Sequence, residues 1–291
     1  MMTHFIHYLH RQVLLPGQSR MASRRFAAPE GDATSFEAPT RHVLPDQPIV
    51  RTIVAGDTVW MISQMSLRRA GKTAWLPVAL DARIQVDSPP TLEGDLRVIM
   101  PASGSRWFPL ADATSLLSEL QSIRQRGIPA NLGIGSTPAV GRFFQGMRRL
   151  SNAEPLVHWA SRLAAAPVEF LSYRQIDGTA AAFDVASARL SAGAALFWDR
   201  WSLPRSLSER REHAPDGPLD ASLFGALDQA CCVWGVETPR YYEAGSYSAR
   251  EATRAVELRT FKPSMHSLSN SESSILGFAR AKALARSRHR I

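Results

Sequence analysis

The rhythm of apolar and polar positions changes part-way along this chain. From Ile49 to Phe108, β-branched and aromatic residues come in short runs separated by Gly, Pro and Asp. "IVRTIV" leads through Ala55, Gly56 and Asp57 into "TVWMISQM", the pattern of two strands around a short turn. "SLRRAGKTAWLPVAL" repeats it, with Arg68–Lys72 as an exposed turn and Gly71 supplying the backbone freedom. "EGDLRVIM" adds a strand near Leu96–Met100. A mostly antiparallel sheet of about four or five strands is expected over 49–108.

Beyond Phe108 the apolar spacing lengthens to three and four. Asp112 caps a helix with Leu116, Leu120 and Ile123 on its inner face and Leu117 beside them; Gly127 stops it. "IPANLGI" reads as a short strand. Thr137 caps the next helix, with Pro138 in its first turn, Val140, Phe144, Met147 and Leu150 inward, and Arg148 and Arg149 in solvent. Asn152 caps a helix carrying Leu156, Trp159 or Ala160, and Leu163, ended by Pro167. "VEFLSYRQI" is a strand, and Asp177-Gly178 is a two-residue turn signal. After it, either a strand from Thr179 to Val185 pairs back, or a helix starts near Asp184 and runs to Trp198. Asp220 opens a helix through Leu223, Leu227, Ala230 and Trp234 that ends at Gly235. Ser248 and Glu251 form a capping-box pattern for a short helix to Leu258. A basic helix is expected over Ile275–Arg286.

These elements predict an α+β fold: an N-terminal antiparallel β-region followed by a helix-rich region, with flexible basic termini. The organisation expected is a basic arm and Pro-rich linker over 1–48, one α+β domain over 49–258 (β-rich 49–108, helix-rich 109–258), and a basic tail over 259–291. Thr3–Leu15 can be drawn as an amphipathic helix, with Phe5, Leu9 and Val13 opposite His4, His7 and Arg11. No acid precedes Glu30, the composition of a mitochondrial presequence. The same stretch also reads as a disordered arm, or as sequence ahead of a start at Met21. A bacterial cytoplasmic protein is the expectation, with the mitochondrial matrix, reached through residues 1–29, as the alternative. Apolar runs such as Leu196–Trp198 are too short to span a bilayer.

Charge modifies this picture at the ends. The formal net charge is +8, from 34 Lys and Arg against 26 Asp and Glu. Residues 1–29 carry +4 and residues 259–291 carry +6, so the stretch between them is slightly acidic. A polyanion would therefore meet arms rather than a basic face. Only Lys72, Lys262 and Lys282 are lysine, a bias toward arginine that a GC-rich genome also produces. Two adjacent cysteines, Cys231 and Cys232, fit a reducing compartment, and on an apolar helix they would be inert.

The candidate chemistry is sparse. Gly71-Lys72-Thr73 follows Ser66 where a phosphate loop needs its first glycine, and Pro77 breaks the helix such a loop requires. His4, His7 and His10 recur every third residue without an acid or cysteine beside them. Glu209 and His213 lack a third ligand, and no nucleophile elbow is present. No catalytic residue, metal ligand set or cofactor motif is assigned. The seven tryptophans are expected to pack in the core. One anion site is suggested in "NLGIGSTPAVGRFF": Gly133, Gly135, Ser136 and Thr137 form a glycine-containing turn from strand to capped helix, with amide groups through Ala139 facing outward. In the tail, Arg280, Lys282, Arg286, Arg288 and Arg290 are spaced to neutralise phosphates, with Ile275, Leu276 and Phe278 as an apolar side.

The stretch from Leu116 to Pro138, "LLSELQSIRQRGIPANLGIGSTP", is similar to the helix-then-strand passage in the palm of Y-family DNA polymerases. That palm needs metal-binding carboxylates on neighbouring strands, and no Asp pair or Asp-Glu pair is placed for it here. The reading from sequence is thus a non-enzymatic binding or assembly protein. Its basic termini would contact nucleic acid, with weak sequence specificity, or an acidic protein. The alternative is an enzyme or ligand-binding protein with a phosphate site at Gly133–Ala139.

Overall fold

The computed structural model describes residues 2–9, 13–14, 42–123, 129–131, 140, 146–203 and 217–263. The protein is α+β. The strands in chain order are β1 (His4–Leu9), β2 (Val13–Leu14), β3 (His42–Pro45), β4 (Thr58–Ser63), β5 (Ser66–Arg69), β6 (Lys72–Trp75), β7 (Ala79–Gln85), β8 (Thr91–Glu93) and β9 (Leu96–Ile99). There follow β10 (Arg106–Trp107), β11 (Gln121–Ile123), β12 (Pro129–Asn131), β13 (Arg148–Asn152), β14 (Val168–Tyr173), β15 (Ala195–Phe197), β16 (Cys232–Val236) and β17 (Phe261–Pro263). The helices are α1 (Leu116–Glu119), α2 (Glu154–Ala165), α3 (Gln175–Ser191), α4 (Asp199–Ser202), α5 (Pro218–Gln229) and α6 (Tyr247–Glu257). The chain divides into two compact units: residues 1–12, 22–66 and 75–166, and residues 13–21, 67–74 and 167–291.

The first unit is built on a seven-stranded sheet of order β10-β7-β4-β1-β13-β11-β12. All six residues of β4 are buried, as befits a central strand covered on both faces. It pairs antiparallel with β7, in place of the hairpin partner expected at Ile49–Val54, and parallel with β1. The amphipathic helix expected over Thr3–Leu15 is instead a strand at His4–Leu9, with Phe5, Ile6, Tyr8 and Leu9 buried. Both faces of that strand are covered, so its sequence lacks the alternation that marks a strand, and the four-residue spacing of Phe5 and Leu9 imitates a helix. Phe5 and Leu9 share a core with Val59, Met61, Ala82, Ile84 and Trp107.

Other elements moved for local reasons. The strand expected at Ile49–Val54 holds a 3₁₀ turn at Val50–Thr52. The helix expected from Leu116 stops at Glu119, where Leu120 turns extended and β11 begins. Arg148–Leu150, expected at the end of a helix, belong to β13, which pairs with β1 and β11. The Asn152 helix forms over Glu154–Ala165 and buries Leu156, Ala160 and Leu163; the Asn152 carboxamide oxygen accepts from the Glu154 amide at 2.9 Å.

The second unit contains the β5–β6 hairpin, whose turn residues Ala70 (φ 44°) and Gly71 (φ 80°) both take the left-handed backbone that this tight turn demands. Arg69 on β5 donates to the Asp184 carboxylate of α3 at 2.9 Å. The larger element is a parallel four-stranded sheet, order β15-β14-β16-β17. The chain runs from β14 outward to β15, then returns past β14 to β16 and β17. With right-handed crossovers this places α3 on one face and α5 and α6 on the other. Phe170 of β14 accordingly packs with Leu223, Leu227 and Ala255 of α5 and α6.

Two expectations fail here. Asp177 and Gly178 lie in the first turn of α3 and make no hairpin. Gly178 is buried within the helix, where an added Cβ would make only an ordinary contact with the Tyr173 side chain at 3.5 Å. The helix from Asp220 ends at Gln229, and Cys231 and Trp234 lie in or beside a strand, not on a helix. The residues from Cys232 to Val236 are a short parallel strand whose apolar run is indistinguishable by period from the end of a buried helix. No helix among the described residues is long and apolar enough to cross a membrane.

Candidate functional site

In an open parallel sheet, ligands settle outside the carboxyl ends of the strands where the strand order reverses. Here that point lies between β14 and β16, at Ser172, Tyr173 and Arg174 on one side and Val236, Glu237 and Thr238 on the other. A buried carboxyl sits beneath it. Glu251, one turn into α6, accepts a hydrogen bond from the Ser172 hydroxyl at 2.6 Å. Ser172 lies 2.8 Å from the Tyr241 hydroxyl.

The sequence explains how these groups meet. Ser172 faces α6 because it shares the strand face of Phe170. Its partner across the ladder is Gly235. A Cβ at Gly235 would lie 2.4 Å from the Phe261 ring and 2.9 Å from the Tyr241 hydroxyl, so the glycine makes the space through which Tyr241 reaches Ser172. The loop after β16 is tied to α6: Ser246 caps the helix by accepting from the Ala249 amide at 3.1 Å, and Ser248 bonds the Tyr241 carbonyl. The capping residue is thus Ser246 rather than Ser248, and Glu251 turns inward instead of bonding the helix start.

Burial raises the Glu251 pKa from 4.5 to about 8; the Ser172 bond works against this, the nearby Asp199 charge adds to it, and Arg250 opposes it. Burial thus favours the protonated carboxyl. Tyr173 and Tyr241 are both held well above the usual phenol range by burial. Asp199 accepts from the Gln175 carboxamide at 2.7 Å and from the Arg200 amide at 2.7 Å. Arg200 is itself buried, donating to the Tyr173 hydroxyl at 3.2 Å and to Gln175 Oε1 at 2.9 Å.

At the rim, Arg174 and Arg240 flank Glu243, while Asp177 accepts from the Thr238 hydroxyl at 2.9 Å and the Arg240 amide at 3.1 Å. Arg174, Glu243 and Arg240 are all partly exposed. The protonatable carboxyl is thus buried behind Ser172, while two guanidinium groups paired with Glu243 stand partly exposed after β14 and β16.

Gly133, Gly135, Ser136 and Thr137 lie outside the described residues, as do Glu209 and His213 and the basic set Arg280, Lys282, Arg286, Arg288 and Arg290. His4 accepts from the Trp60 indole at 3.1 Å, and His7 lies beside His42, their rings 6.0 Å apart. Among the described residues no group of three or more His, Cys, Asp or Glu is placed to hold a metal ion. Cys231 is exposed and Cys232 buried, with burial and the Glu169 charge pushing the Cys232 thiol up to about 11.

No known protein-family model matches the chain, and neither a curated protein nor a solved structure is significantly similar to it. The functional reading therefore rests on the site.

Proposed function

We infer that the second unit binds a nucleotide-type ligand at the carboxyl edge between β14 and β16, with Glu251 as the general acid and base of a reaction on it. The observation that carries this reading is the buried Glu251 carboxyl, hydrogen-bonded to Ser172 at the strand-order reversal. The ligand class follows from the doubly wound sheet, whose reversal point is where such folds take mono- and dinucleotides. The reaction class follows from the carboxyl. A group poised near neutrality suits proton transfer, and cleavage or transfer at a glycosidic bond is the nucleotide chemistry that asks for a carboxylic acid of raised pKa.

In this reading a protonated Glu251 gives its proton to the leaving group and recovers it from water or an acceptor alcohol. Ser172 and Tyr241 keep the carboxyl oriented. Incubating the full chain with a panel of NAD⁺, NADP⁺, ATP, GTP and UDP-sugars, and separating the products, tests this. Release of free base or sugar that stops in Glu251→Gln supports it; a panel that neither stabilises the protein to heat nor is consumed sinks it.

The basic tail supports a separate proposal, contact with nucleic acid or another polyanion. Deleting 264–291 should abolish salt-sensitive retention on immobilised DNA or RNA; retention unchanged by the deletion counts against it.

A further inference from the structure

We propose that Arg174 and Arg240 form the phosphate seat of this site, and that Glu243 fills the seat as an internal stand-in until a ligand displaces it. The proposal rests on the nucleotide reading above and adds the residues that would hold the phosphate. Arg174 directly follows β14 and Arg240 lies just beyond β16, so the two guanidinium groups come from the two strands that flank the strand-order reversal. They converge on one carboxylate. Arg174 Nη2 donates to Glu243 Oε2 at 3.0 Å, and Arg240 donates to the same oxygen through Nε at 3.1 Å and to Oε1 through Nη2 at 2.9 Å. A carboxylate receiving three charged hydrogen bonds from two guanidinium groups is held by the kind of donors that also hold phosphate.

Two further features fit a seat rather than a structural clamp. The trio is open to water, with side-chain exposures of 27% for Arg174, 41% for Glu243 and 47% for Arg240, so a ligand can reach it and the pairs are cheap to break. Arg174 Nε is buried and has no hydrogen-bond partner, a donor left over when Glu243 holds only Nη2.

The test measures binding of ADP, GDP, UDP and CDP, each against its own nucleoside, by calorimetry on the full chain. Glu243→Gln removes the competing charge and should tighten the diphosphates about three- to fivefold. Arg174→Ala and Arg240→Ala should each weaken them about tenfold, and none of the three should change nucleoside binding. All three residues are partly exposed, and far-UV circular dichroism confirms that the variants fold. If the diphosphates bind the wild type and all three variants equally, the seat is elsewhere and this inference falls while the nucleotide reading stands. If no diphosphate binds the wild type or Glu243→Gln, both fall.

Discussion

Two glutamates at opposite ends of one parallel sheet meet opposite fates. Glu169, near the amino end of β14, receives two hydrogen bonds from Arg189 at 2.9 and 2.7 Å and one from the Trp234 indole at 2.9 Å. Burial works to raise its pKa, but those bonds and the Arg189 charge outweigh it and hold the carboxyl below its ordinary range. Two cations lie against the Trp234 ring, Arg189 at 4.8 Å and Lys262 at 5.4 Å. Glu251, at the carboxyl end, has one hydroxyl partner and a negative neighbour, and its pKa rises. Desolvation acts on both; what differs is the supply of cations. A carboxylate saturated with donors holds structure together, whereas one left protonated is available for chemistry.

The largest expected effect breaks the comparison at its reactive end. Glu251→Gln keeps an acceptor for Ser172 but cannot exchange a proton, so any turnover found in the nucleotide panel should drop about 100-fold or more. Its stability profile should change as well. A glutamate with a raised folded-state pKa contributes fully below its unfolded pKa of 4.5, and that contribution is lost as pH rises through about 8. Denaturation series across that window should show stability falling by about 1.4 kcal/mol per pH unit at most in the wild type, and a flatter profile in the variant. An equally steep fall in Glu251→Gln would mean another group is responsible.

Gly235→Ala acts next, and at the support rather than the carboxyl. The added methyl must displace the Phe261 ring or the Tyr241 hydroxyl, at a cost of about 1–3 kcal/mol in thermal or denaturant unfolding. Turnover should fall with it because Tyr241 loses its place on Ser172. Full stability in this variant would show that β17 yields easily and that the glycine is not needed for close approach.

Sequence reasoning found the α+β class, the β5–β6 hairpin and α2 because each is signalled locally, by a turn pair or by a cap and an apolar stripe. It missed β1 and β16 because a strand buried on both faces has no period to read. It found Glu251 and gave it to a capping box: the Ser-x-x-Glu spacing is real, but the hydroxyl that matters is Ser172, 79 positions away. The phosphate seat was invisible for the same reason, since Arg174 and Glu243 are 69 residues apart. A local hint did exist in "VEFLSYRQI", where a serine and an arginine end an apolar strand, the position at which parallel sheets carry their ligand residues.

At the structural end, Arg189→Ala should cost about 1–2 kcal/mol at neutral pH, a modest figure because Arg189 is partly open to water. The sign of the pH dependence is opposite to that of Glu251. The depressed Glu169 pKa contributes stability above the unfolded value and loses it as pH falls, so wild type and variant should converge in acid. Turnover, and the profile between pH 4.5 and about 8, should not change. A change there would couple the two ends of the sheet.

The smallest effect separates the two causes that act on Glu251. Asp199→Asn removes the negative neighbour and leaves burial as it was. The side-chain oxygen that accepts from the Arg200 amide can be kept, although the second acceptor, for Gln175, is lost. Removing a like charge favours ionisation, so the Glu251 pKa should move down from about 8. The fall in stability with rising pH should then level off earlier than in the wild type, and the alkaline limb of any turnover profile should shift the same way. Burial is the larger cause, so Glu251 should still titrate above 4.5 in this variant. A profile that returned all the way to that value would make Asp199, and not desolvation, what distinguishes this carboxyl from Glu169.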